Sequence, residues 1–142
     1  MDEAKGWRFL VGRYDVIKQL PPETVTEWID RHGLEAARRI ARQLPSPYLL
    51  ADGTAVVPPL TEHVLTKFGE DKRVFNEFVA GVHDLQLYVG DIAGQKLQEG
   101  DIARKFLKYP LPRIQEWAQI EIMDAESQAA YWRDWEAEQR IE

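Results

Sequence analysis

The sequence predicts an all-α fold: antiparallel helix pairs followed by one long C-terminal helix. Three observations carry this expectation. Apolar residues recur at three- and four-residue spacing along most of the chain. Pro and Gly gather in short breaks between those stretches. The closing run "PRIQEWAQIEIMDAESQAAYWRDWEAEQRIE" holds neither Gly nor Pro after Pro112.

Taken in order, Phe9, Leu10, Val11, Tyr14, Ile17 and Leu20 predict a helix over 7–20, ended by "LPPE". Pro21 and Pro22 open a second helix, where Pro in the first turn costs little. Val25, Trp28 and Ile29 form its apolar face, and Gly33 marks its end. A third helix follows with Leu34, Ala37, Ile40, Ala41 and Leu44 in one stripe. Arg38, Arg39 and Arg42 lie off that stripe, with Glu35 in reach of Arg38 or Arg39.

"PSPYLLADGTAVVPP" (45–59) holds four Pro and an Asp-Gly turn, which predicts a loop carrying a small hairpin. Tyr48, Leu49, Leu50, Val56 and Val57 are expected to plug one end of the core. Helices are then predicted over 59–68 and 72–82. "HDLQLYVGD" reads as an irregular link, since a single strand there would have no partner. "GQKLQEGD" reads as a further break, leading to a helix over 101–107 capped by Asp101.

The final run is expected to form one helix from about Leu111 to beyond Glu138. At about 100° per residue, Ile114, Trp117, Ala118, Ile122, Ala125, Ala129, Trp132 and Trp135 share one arc without a phase jump. Such a rod is about 40 Å long.

Three segments are similar to one another: "PPETVTEWI" (21–29), "GEDKRVFNEFV" (69–79) and "PLPRIQEWA" (110–118). The first and third align without gaps, pairing Val25 with Ile114, Glu27 with Glu116 and Trp28 with Trp117. The second sits forty positions before the third, with Arg73 against Arg113 and Val74 against Ile114. Helix–turn–helix units at about forty residues read as an α-solenoid. Pro110, Pro112, Arg113, Ile114 and Ala118 give "PLPRIQEWA" a shape that resembles the second helix of a HEAT repeat; Trp117 departs from that pattern.

The resemblance implies a short right-handed stack of helix pairs, an irregular bundle being the other arrangement compatible with the pattern. It also implies a non-enzymatic scaffold that binds other proteins, either as a single domain over 1–142 or as the terminal part of a larger chain. The partner would be another protein or a second copy meeting it through the C-terminal helix.

The totals narrow the function classes. With 142 residues, 44% apolar and 30% charged, the chain can bury a core and is neither a disordered tail nor a membrane protein. No apolar run reaches the roughly 18–20 residues needed to span a bilayer. The opening "MDEAKGWRFL" has no basic and apolar leader pattern, so no secretion signal is expected. With no Cys, disulfides and thiol chemistry are excluded, and a cytoplasmic location is expected.

The net charge of −6 is uneven. Residues 1–50 hold eight Lys/Arg against seven Asp/Glu, whereas 51–142 hold ten against seventeen. That balance argues against general nucleic-acid binding. Arg31, Arg38, Arg39 and Arg42 nevertheless form a candidate anion or nucleic-acid face.

His32, His63 and His83 show no metal-ligand spacing, Ser46 and Ser127 lie in no nucleophile motif, and no Gly-rich loop is followed by Lys-Ser or Lys-Thr. No catalytic residue, metal ligand or cofactor is therefore nominated. Trp7, Trp28 and Trp117 are expected in the core. Met123, Tyr131, Trp132 and Trp135 are the candidate partner-binding residues, since Trp near a helix end is a favoured interface anchor.

Overall fold

The structure, a computed structural model, describes residues 20–83 and 90–141. Most of it is helical, with six α-helices and one two-stranded sheet among the described residues. The helix predicted over 7–20, Trp7 included, lies outside those residues except for Leu20, as does 84–89 of the predicted link.

Three helices begin at a Pro whose missing N–H would have had no partner there. These are α1 (Pro22–His32), further on α3 (Pro59–Phe68), and the last helix, which starts at Pro112. α1 buries Val25 and Ile29 and stops at Gly33, whose φ of 72° suits a residue without Cβ. The Gly33 N–H donates to the Ile29 carbonyl at 2.7 Å, and α2 (Leu34–Ile40) starts at once. α2 tightens into a 3₁₀ turn over Ala41–Gln43. Its buried side is Ala36, Ala37 and Ile40, continued by Ala41 and Leu44. Leu34 is exposed, contrary to the expected stripe: as the first residue after the corner it has no preceding helical turn to pack upon.

The expected hairpin is present. β1 (Tyr48–Leu49) pairs antiparallel with β2 (Ala55–Val56), Tyr48 opposite Val56 and Leu49 opposite Ala55. Gly53 takes φ 87° in its turn, and the Thr54 N–H donates to the Asp52 carboxylate at 2.9 Å. Of the five residues expected to plug the core only Val57 is buried, while Tyr48 and Leu50 are exposed. A two-residue strand pair reaches out on its own hydrogen bonds and covers little with its tip.

α3 buries Leu60, Thr61, Val64 and Leu65. The Thr61 hydroxyl is fully buried and donates to the Pro45 carbonyl at 2.6 Å, which is how a polar side chain is accommodated there. α4 (Lys72–His83) buries Val74, Phe75 and Phe78. α5 (Ile92–Arg104) corrects the expected start at Asp101. Its N-cap lies ten residues earlier, at Asp91, which accepts the Gly94 N–H at 3.0 Å. Gly94 and Gly100 made this stretch look like a break, yet Gly100 is buried inside the helix. α6 (Pro112–Ile141) is one uninterrupted helix of 30 residues, as expected.

The chain divides into two compact units. The first contains α1–α4 and centres on Ile29, Ile40, Val64, Val74 and Phe78. Within it α4 packs most closely on the 3₁₀ turn. A Cβ on Gly81 would run into the Arg42 carbonyl oxygen, so only Gly permits that approach. The second unit contains the hairpin, α5 and α6. The aligned Val or Ile of each similar segment, Val25, Val74 and Ile114, is buried in its own unit.

Candidate functional site

α5 and α6 form an antiparallel pair whose packing decides which side of α6 stays open. Phe106 meets Trp117 edge to face, ring centres 5.4 Å apart, at the closed end. Further along, a Cβ on Gly100 would sit 3.0 Å from the Ala125 Cβ, so the helices approach almost backbone to backbone. Ala93 and Ala103 on α5, with Ala118 and Ala129 on α6, keep the seam narrow. On its border Arg104 Nη2 donates to Glu126 Oε1 at 2.8 Å.

The buried stripe of α6 holds Ile114, Trp117, Ala118, Ala125 and Ala129 as expected, and also Glu121, only 5% exposed. Sequence reasoning passed over Glu121 because it is charged. Its helical position, at the middle of the apolar arc, was the signal that placed it inside.

Past Ala129 the seam opens. Trp132 is half-buried, Trp135 is 46% exposed and Tyr131 61% exposed. The three rings form a ladder of edge contacts, Tyr131 to Trp132 at 5.4 Å and Trp132 to Trp135 at 5.7 Å. Three of the four expected partner-binding residues are thus brought together. Met123, 72% exposed, is not: it lies two turns earlier on another face of α6.

Charge divides about this ladder. At about 100° per residue, Ile120, Asp124, Tyr131, Trp135 and Glu138 fall on one flank of the buried stripe, with Asp134 at its edge. Arg133, Glu136 and Arg140 fall on the other flank. There they line a cavity of about 520 Å³ with Gly90, Asp91, Ala93 and Gly94 from the start of α5. The aromatic flank is therefore acidic, and the cations of this part of α6 stand across the helix from it.

The arginine face is organised differently. The Arg38 guanidinium donates to both oxygens of Asp71, at 3.2 and 2.6 Å. Asp71 also accepts the Val74 N–H at 3.1 Å, capping α4. Arg38 first, then that backbone bond, lowers the Asp71 carboxyl to about 2. Arg39 bonds Glu35 at 3.2 Å, and Arg42 faces Glu77 at 3.7 Å. Arg31 is exposed on α1. Arg38, Arg39 and Arg42 of the anion alternative are thus held by carboxylates, one on α2, one capping α4 and one on α4.

His63 lies 2.8 Å from Asp30, which also accepts from Lys67 at 2.8 Å. These bonds, Lys67 first, hold the Asp30 carboxyl below its ordinary range. Among the described residues no group of three His, Cys, Asp or Glu comes together to hold a metal, and no helix is long and apolar enough to cross a membrane. Compared with protein-family models, curated proteins and solved structures, the chain matches none.

Proposed function

We propose that this chain is a cytoplasmic, non-enzymatic scaffold module, HEAT-like in its helix pairing, that binds another protein through the last third of α6. The observation that carries this reading is the ladder of Tyr131, Trp132 and Trp135, two of whose rings stand exposed on a rigid helix. Aromatic rings in fixed positions bury much area on binding and lose little side-chain entropy, which is why Trp and Tyr dominate interface energetics. Helix–turn–helix pairing in α3–α4 and in α5–α6 supports the scaffold part. The engagement of Arg38, Arg39 and Arg42 by Asp71, Glu35 and Glu77 favours a protein partner over nucleic acid.

The test is affinity capture from the native extract with wild type and with Tyr131→Ala/Trp135→Ala, alongside light scattering of both. A protein held by the wild type and lost from the variant is the expected result. Identical capture by the two proteins would overturn the reading.

A further inference from the structure

We infer that the exposed flank of α6 receives a cationic amphipathic helix of a partner protein. This rests on the reading of α6 as a protein contact and goes further by naming the partner's chemistry.

The flank has an apolar line and an acidic one. Ile120, Tyr131 and Trp135 supply the exposed apolar groups. Asp124, Asp134 and Glu138 run beside them, Asp134 and Glu138 exposed and Asp124 half-buried. Between Ile120 and Glu138 the helix rises about 27 Å, the length of a partner helix of about five turns. An amphipathic helix docks by presenting apolar anchors at helical spacing, and those of α6 stand at the two ends of that span, Ile120 at one and Tyr131 with Trp135 one turn apart at the other.

Charge selects among the occupants. A second copy meeting the flank about a two-fold axis would set these acids against themselves, in a chain that already carries −6. A phosphate backbone is repelled by the same acids. A Lys/Arg-rich helix finds carboxylates for its cations, and the open faces of Trp135 and Tyr131 attract cations directly. Arg133 and Arg140, the cations that would oppose it, lie on the far flank.

The experiment uses the full chain and a fluorescein-labelled 18-residue helix with Leu on one face and Lys on the other. Its counterpart carries Glu in place of Lys. Anisotropy titrations are expected to show binding of the Lys peptide, weakened by salt, and none of the Glu peptide. Asp134→Lys/Glu138→Lys is expected to weaken binding about tenfold or more, since facing like charges oppose association. Glu23→Lys/Glu27→Lys changes net charge equally on exposed positions of α1 and is expected to leave binding unchanged.

Equal loss in the two charge-reversed proteins, or no binding of the Lys peptide, overturns the inference. Circular dichroism of each variant excludes unfolding as the cause of a loss. The broader reading fails separately: if native capture still depends on Tyr131 and Trp135 while the peptide binding does not depend on Asp134 and Glu138, only the cationic character of the partner falls.

Discussion

Asp71 ties two helices at one point, accepting from Nε and Nη2 of Arg38 and from the Val74 N–H in the first turn of α4. Its folded pKa of about 2 lies below the ordinary carboxylate value of about 4. A depressed carboxyl stabilises the fold above its unfolded pKa, and that contribution is lost as pH falls toward the folded one. Urea midpoints of wild type and Asp71→Asn are therefore expected to differ at pH 7 and to converge between about pH 4 and pH 2. A constant gap would contradict this role. Gly81→Ala is expected to destabilise the first unit, although Ala normally favours a helix by about 1 kcal/mol, because the added Cβ meets the Arg42 carbonyl. Thermal melts would register the sign. Thr61→Val removes the buried hydroxyl that donates to the Pro45 carbonyl, at an expected cost of about 0.5–1.5 kcal/mol by chemical denaturation.

Along α6 the same residue type does opposite work at different positions. Trp117 is buried against Phe106, so Trp117→Ala is expected to cost about 3–5 kcal/mol in denaturant unfolding. Trp135 is about half in solvent and touches Trp132, so Trp135→Ala is expected to stay below about 1 kcal/mol. Comparable costs for the two would remove the distinction between core and contact surface. The α5–α6 seam depends on Gly100 and Ala125 in the same way as α4 on Gly81: a larger residue at position 100 has to push the helices apart.

For the chain as a whole, the acidic balance and the engaged arginines predict its behaviour toward polyanions. Retention on duplex DNA at physiological salt is expected to be negligible, and Arg38→Glu/Arg42→Glu is expected to leave it so. Salt-sensitive retention lost in that variant would revive the arginine face as a nucleic-acid surface.

What the sequence determined by itself was local and periodic. The starts of α1 and α3, the end of α1 at Gly33, the Asp-Gly hairpin and the single α6 were legible because Pro, Gly and a continuous apolar phase act over a few residues. Even the buried place of Glu121 was written in that phase, once charge is not allowed to veto position. Only the tertiary structure decided that α5 runs through Gly100, since a mid-helix Gly reads as a break until a helix is seen pressed against it. It alone decided that Arg38 meets Asp71 thirty-three residues away, and that Met123 stands apart from the aromatic ladder. Periodicity sets which side of a helix is apolar; which part of that side finds cover depends on where its partner helix ends, and on α6 the cover runs out before Tyr131 and Trp135.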